Sequence, residues 1–158
     1  MNKNETLKWY REQLNIEGEQ SKIILDNEFL QYDPPVRGIY GIFLGKDSPE
    51  ICVYVGKAEN LYRRMFKGDE AHLVSISKGE HTNPKLNEAI KKGQRVFIKL
   101  LEEVPYKKGN CTEADYNIDM QRLASAENKH IDIYQKKGQC LWQLPEGKHI
   151  SYKEWCKK

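Results

Sequence analysis

Apolar and polar residues alternate along two stretches in the first half of the chain, and a turn-forming segment separates them. The stretches cover residues 38–44 and 51–56, and the segment 45–50 between them contains Gly, Asp, Ser and Pro. Two β-rich runs joined in this way predict an antiparallel hairpin. A third alternating run over residues 95–101 predicts a further strand.

Two tyrosines lie on the predicted hairpin, one on each strand. Because side chains alternate between the two faces of a strand, Tyr54 shares a face with Cys52 and Gly56. The pattern predicts that Tyr40, Tyr54, Lys57 and the nearby Arg64 converge at one end of a small sheet. On the pattern alone, two strand tyrosines are more often residues of a protein core.

Apolar residues recur at helical spacing in five other stretches, whose ends are marked by capping residues, Gly or Pro. The stretch 67–80 contains glycines and serines and predicts a loop. The predicted helices cover residues 4–18, 22–32, 61–65, 85–92 and 116–135.

One carboxylate lies on the core-facing stripe of the last predicted helix. Glu127 follows Leu123 by four residues and precedes Ile131 by four, so the three share one helix face. A carboxylate turned toward a core needs a partner, and a metal ion or an arginine is the usual one. Glu127 is therefore a candidate functional residue.

The composition is that of a soluble globular protein with one domain. The 158 residues are 39% hydrophobic and 31% charged, with a net charge of +3. No apolar run approaches the length that spans a bilayer and the first residues lack the apolar core of a signal peptide, so we expect a cytoplasmic protein without a membrane partner. The four cysteines form no C-x-x-C pair and are expected to be reduced.

Charge is distributed unevenly along the chain. Residues 1–36 carry four basic and seven acidic side chains, whereas residues 57–99 carry ten basic and five acidic ones. A basic surface beside an acidic extension favours a polyanion as partner. Ordinary solvated charge on helix surfaces explains the same distribution equally well.

The order of these residues resembles the signature of the GIY-YIG nucleases. Gly-Ile-Tyr at 38–40 is followed by Tyr-Val-Gly at 54–56, and Arg64 comes eight residues after the last glycine. The stretch 81–86 and Glu127 in the long helix then follow in the family's order. Five elements in sequence make the resemblance specific.

The resemblance covers residues 36–143, roughly two-thirds of the chain, and is strongest to the phage and intron-homing branch of the family. It implies an α+β fold with a small three-stranded antiparallel sheet flanked by helices. A helical extension over residues 1–35 and a C-terminal tail over residues 144–158, packed on the domain, complete the expected organisation.

The resemblance also implies an activity, the hydrolysis of phosphodiester bonds in double-stranded DNA with one Mg²⁺ or Mn²⁺ ion, and it leaves a homo-oligomer open. Tyr40 would activate or orient the attacking water, and Arg64 would grip the scissile phosphate. The remaining implied catalytic residues are Tyr54 as the second motif tyrosine, Glu127 as the metal ligand, and Lys57 or His81 in proton transfer. The implied substrate-binding residues are Gly56, Arg63, Lys67 and Gln143.

The chain departs from the family pattern at two positions of the site. Homing relatives often carry a histidine four residues after the arginine, where this chain has glycine, and His72 lies four residues further on. Lys57, His72 and His81 are therefore alternatives for the proton transfer. The asparagine expected after the glutamate helix is replaced by Gln139 or Gln143.

Three classes of function are compatible with these patterns. The leading one is a single-domain metal-dependent endonuclease of homing, restriction-like or nicking type. The alternative is a catalytically weak or inactive module that keeps the fold and binds nucleic acid or protein, and the third is a structural domain of a larger assembly. A binding module would not require an inward carboxylate, so Glu127 favours the enzyme.

Overall fold

The computed structural model of the protein is an α+β fold in which helices flank a four-stranded mixed sheet. The strands are β1 (Ile23–Leu25), β2 (Gly38–Gly45), β3 (Ile51–Ala58) and β4 (Arg95–Glu103), in the spatial order β1-β4-β2-β3. The helices are α1 (Leu61–Phe66), α2 (His72–Ser77), α3 (Pro84–Lys91), α4 (Glu113–Lys136) and α5 (Tyr152–Cys156), with a 3-10 helix at Asn27–Leu30. The structure describes residues 5, 8, 23–67, 71–77, 84–144 and 151–158.

The predicted hairpin is present as β2 and β3. Tyr40 pairs with Gly56 and Ile42 pairs with Tyr54, so the two tyrosines leave the same face of the sheet. A register shift after Ile42 marks a β-bulge, which puts the alternation of the two strands out of phase. Beyond the bulge, Cys52 lies in the apolar cluster on the opposite face, so the prediction that Cys52 shares a face with Tyr54 is wrong.

The sheet has four strands instead of the predicted three antiparallel ones. Strands β2, β3 and β4 form the antiparallel part, and β1 adds a short parallel strand from the N-terminal extension. Residues 22–32 are therefore not the predicted helix. The β-branched Ile23 and Ile24 pair with β4, and the Asp26 carboxylate after them accepts a hydrogen bond from a β4 backbone N–H at 2.8 Å.

Helix α2 lies within residues 67–80, where the sequence predicts a loop. Its Leu73 and Ile76 are three residues apart and buried, and the helix packs against α1. Burial of this apolar pair outweighs the modest helix propensity of the serines around it. Apart from Glu5 and Lys8, the helix predicted over residues 4–18 lies outside the described residues.

The other two long helical predictions are confirmed within a few residues. Helix α3 is shifted by one residue from the predicted 85–92, and α4 begins three residues before the predicted 116–135. The early start of α4 has a local cause in a capping box. The Thr112 hydroxyl accepts from the Asp115 N–H at 3.1 Å, and the Asp115 carboxylate accepts from the Thr112 N–H at 3.2 Å.

Apolar clusters cover both faces of the sheet, and β2 is buried between them along its whole length. The first cluster contains Tyr40 and Ile42 together with the buried sides of α1, α2 and α3. The second contains Ile39 and Phe43 together with the buried side of α4. Tyr40 is therefore held in position from the side of the three short helices.

A buried ion-pair network fixes the entry to β2. The Arg37 side chain is 2% exposed, and its guanidinium lies 3.1 Å from a carboxylate oxygen of Asp119 and 3.1 Å from one of Glu59. Burial raises the pKa of Asp119, but hydrogen bonds from the backbone and contacts with two arginines lower it by more. The network ties the hairpin to α4.

The C-terminal segment adds a short exposed helix. Ser151 caps α5, since its hydroxyl accepts from the Glu154 N–H at 3.1 Å. Trp155 is 61% exposed and stacks on Tyr152 of the same helix. Within the described ranges, no helix combines the length and apolar character needed to cross a membrane.

Candidate functional site

Tyr40 and Gly56 are packed directly against each other across the hairpin. A Cβ atom added to Gly56 would lie 2.4 Å from Tyr40 Oη and 2.5 Å from Tyr40 Cζ. The tyrosine ring therefore lies over the glycine, and no larger residue fits beneath it. The structure thus gives Gly56 a packing role, whereas its role in substrate binding stays a prediction.

Arg64 reaches both motif tyrosines from α1. This helix begins at Asn60, whose Oδ1 accepts from the Arg63 N–H at 3.0 Å. Arg63 is exposed, whereas Arg64 is half-buried and turned toward the sheet. The Arg64 guanidinium interacts electrostatically with the hydroxyls of Tyr40 and Tyr54, which also interact with each other.

His72 joins this cluster from α2. It is 3% exposed, and its Nε2 shares a hydrogen bond with the Tyr40 hydroxyl. The imidazole also meets the rings of Tyr40 and Tyr54 edge-on, with centroids 5.3 and 5.1 Å apart. Of the three alternatives for proton transfer, His72 contacts the tyrosines, Lys57 lines a neighbouring groove, and His81 lies outside the described residues.

Burial sets the charge of the cluster. Burial and the adjacent Tyr54 raise the pKa of Tyr40 well above its usual range, and the opposing effect of Arg64 is smaller. Burial lowers the pKa of Arg64, but the two phenols raise it by more, so the guanidinium stays charged. At neutral pH the cluster is therefore a neutral phenol pair beside a permanent cation.

Arg64 also lines a basic groove at the end of the sheet. The groove has a volume of about 430 Å³. Its charged side chains are Lys57, Glu59, Arg63, Arg64 and Lys67. Because the Glu59 carboxylate is paired with Arg37, the four basic groups dominate the groove. A positive groove of this kind suits the phosphate backbone of a nucleic acid.

Glu127 is buried in α4, as its register predicts. It is 2% exposed, its Oε2 atom is fully buried, and α4 packs against β3 and β2. Among the described residues, no group of three or more acidic, His or Cys side chains is placed to hold a metal ion. The role of Glu127 as a metal ligand therefore stays a prediction.

The segment after α4 is clamped to the edge of β3. Gln139 Oε1 accepts from the Cys52 N–H at 2.7 Å. Gln143 binds Val55 twice, accepting from its N–H at 2.8 Å and donating to its carbonyl. Gln135 Nε2 donates to two backbone carbonyls of the segment, at 3.0 and 2.8 Å. Both candidates for the family's asparagine thus hold the edge strand, and substrate binding by Gln143 stays a prediction.

Comparisons with protein-family models, curated proteins and solved structures give no match for this chain. The GIY-YIG resemblance therefore rests on the order of the motif residues. What the site does is argued below from its geometry and chemistry.

Two contributors to the site region are missed by the sequence reasoning. Trp142 lies beside Tyr54, with ring centroids 6.4 Å apart, and is 52% exposed. A tryptophan directly before the candidate Gln143 is the signal that would have found it. Arg37 has no local signal, because its partners Glu59 and Asp119 lie 22 and 82 residues away along the chain.

Proposed function

We propose that the protein is a metal-dependent DNA endonuclease with a GIY-YIG-like fold. One observation carries the proposal, the convergence of two phenols, a guanidinium and an imidazole at one end of a basic groove. These side chains are Tyr40, Tyr54, Arg64 and His72. Apolar residues would pack the same space without the cost of burying polar groups, which favours a chemical role.

Arg64 has the properties needed to bind the scissile phosphate. The transition state of phosphodiester hydrolysis gathers negative charge on the phosphate oxygens, and a guanidinium can donate two parallel hydrogen bonds to them. Arg64 is charged, half-buried and open to the groove, so its attraction for a phosphate is screened less than that of an exposed arginine. The two phenols hold its orientation.

The phenols and the imidazole provide a path for the proton of the attacking water. Tyr40 is fully buried and Tyr54 is half-buried, so a water that enters from solvent reaches Tyr54 before Tyr40. As the water loses its proton to the Tyr54 oxygen, Tyr54 gives its own proton to Tyr40, and Tyr40 gives its proton to His72 Nε2. Both phenols end neutral, which agrees with the raised pKa of Tyr40.

Glu127 is the residue that would hold the metal ion that the activity requires. Its carboxylate is a hard oxygen donor, and a single carboxylate with several waters is a usual Mg²⁺ environment. When bound, the ion would neutralise charge on the phosphate oxygens.

The test is the conversion of supercoiled plasmid with Mg²⁺, Mn²⁺ or EDTA. Wild type should nick or linearise the plasmid in a metal-dependent manner, and Arg64→Ala and Glu127→Gln should each lose this activity. Arg95→Ala and Glu113→Gln serve as matched controls. Arg95 lies at the far end of β4 and Glu113 is exposed in the first turn of α4, so both should keep activity.

Measuring DNA binding without metal distinguishes an enzyme from a binding module. We expect Glu127→Gln to bind as wild type does and Arg64→Ala to bind more weakly. Wild type that binds DNA and never cleaves it would replace the enzyme with a binding module. Cleavage that survives in both Arg64→Ala and Glu127→Gln would overturn the site.

A further inference from the structure

The segment 139–143 presents an aromatic ring beside the proposed active site. Trp142 lies between the glutamines that bind the edge of β3, and Gln135 donates to two carbonyls of the same segment. The backbone on either side of Trp142 is therefore fixed. Its indole ring lies 6.4 Å from that of Tyr54, inclined by 33°, with 52% of the residue exposed.

We propose that Trp142 is a stacking platform for one unstacked nucleobase next to the scissile phosphate. The inference rests on the proposed nuclease function and names its substrate class, which is DNA with a base that is unpaired or extruded at the cleavage site. Trp142 is thereby a substrate-positioning residue.

The position of the Trp142 indole relative to the basic side chains indicates that its ligand is a nucleobase. Tyr54 lies beside Trp142, with ring centroids 6.4 Å apart, and interacts electrostatically with Arg64. A phosphate held by Arg64 therefore places the attached nucleotide within reach of the indole. Every base has a π face that can stack on an aromatic side chain, and this contact requires no particular base sequence.

Packing alone explains Trp142 less well. Tyr40, whose ring centroid lies 6.1 Å from that of Tyr54, is fully buried, whereas half of Trp142 faces solvent. The neighbouring Leu141 is 69% exposed and provides a matched control, because it is an apolar side chain in the same turn.

A base inside an intact duplex has both faces covered by its neighbours, so it cannot stack on Trp142 until it leaves the helix. We therefore expect binding and cleavage to be stronger on DNA with a mismatch or a single-stranded gap at the cleavage site than on the matched duplex. The cost of extruding the base is smallest in those substrates.

The experiment measures binding of fluorescein-labelled single-stranded DNA by anisotropy in EDTA, for wild type, Trp142→Phe, Trp142→Ala and Leu141→Ala. Base–aromatic stacking predicts that Trp142→Ala binds about 5- to 150-fold more weakly. Trp142→Phe should lose less, and Leu141→Ala should match wild type. An oligonucleotide series with one abasic position should identify a position that weakens wild type and leaves Trp142→Ala unchanged.

The salt dependence of binding shows whether Trp142→Ala loses affinity through stacking or through lost contacts with phosphates. Trp142→Ala should keep the wild-type slope of log affinity against log salt, whereas Arg63→Ala should reduce it by about 1. Circular dichroism of Trp142→Phe checks that the fold is intact. Equal affinities of Trp142→Ala and Leu141→Ala, with no sensitive abasic position, would overturn the platform while cleavage by wild type still supports the nuclease. Wild type that binds no DNA at low salt would overturn both.

Discussion

Replacing Gly56 with alanine tests the packing on which the site depends. The new Cβ atom would lie 2.4 Å from Tyr40 Oη and 2.5 Å from Tyr40 Cζ. Nonbonded carbon atoms prefer separations of about 3.5–4.0 Å, so the ring would have to move by about 1 Å. Because Tyr40 is fully buried in the core, we expect overpacking to cost about 1–3 kcal/mol. The displaced hydroxyl would also lose its hydrogen bond to His72.

The sign of this effect makes the test decisive. In an ordinary strand a change from glycine to alanine stabilises by about 0.5–1 kcal/mol. Here we expect the thermal unfolding midpoint to fall by roughly 2–12 °C, taking about 2–4 °C per kcal/mol for a chain of this size, and we expect DNA cleavage to be lost. Gly41→Ala is the control for overpacking on the opposite face, where its Cβ would lie 2.8 Å from Phe43 Cε1; it should lower the midpoint without displacing Tyr40. A Gly56→Ala protein as stable as wild type would refute the position of the Tyr40 ring.

Three further predictions follow from the burial of single groups. Tyr40→Phe leaves the hydrogen-bond partners of a buried hydroxyl unsatisfied and should lower the free energy of unfolding in urea by about 1–3 kcal/mol; an unchanged value would argue against those bonds. Because burial raises the pKa of Tyr40, its contribution to stability is complete below the ordinary tyrosine pKa of about 10 and is lost as the pH rises toward the folded value. As the pH rises above about 10, the free energy of unfolding should therefore fall less in Tyr40→Phe than in wild type. Ellman's reagent should react quickly with the exposed Cys111 and Cys156 and slowly with the buried Cys52 and Cys140; four equal rates in the folded protein would contradict this.

The parts of the fold that depend on neighbouring residues could be predicted from the sequence. The hairpin, the strand β4 and the helix α4 follow from periodicity and from capping residues within a few positions. The convergence of Tyr40, Tyr54 and Arg64 also follows, because the hairpin register and one short helix determine it. The burial of Glu127 follows from its spacing to Leu123.

The parts that depend on distant residues could not be predicted. Strand β1 exists because Ile23 and Ile24 meet an open edge of β4, more than 70 residues later in the chain. The β-bulge in β2 and β3 sends Cys52 to the opposite face, and no local pattern marks it. The apolar residues Leu73 and Ile76 of helix α2 lie among serines, so the composition of this segment does not indicate a helix. This helix brings His72 to the tyrosines.

Contacts that stabilise the sheet and residues of the proposed site meet at the edge strand of this protein. An edge strand leaves backbone N–H and C=O groups open, and the side chains of Gln139 and Gln143 bind those of β3. The same two glutamines fix the turn that carries Trp142, so protection of the edge also sets the position of the proposed stacking platform. Tyr40 is sealed beneath, and the side chains that a substrate would meet first are Tyr54 and Trp142. Loosening the clamp should therefore weaken substrate binding before it disturbs the buried path to His72.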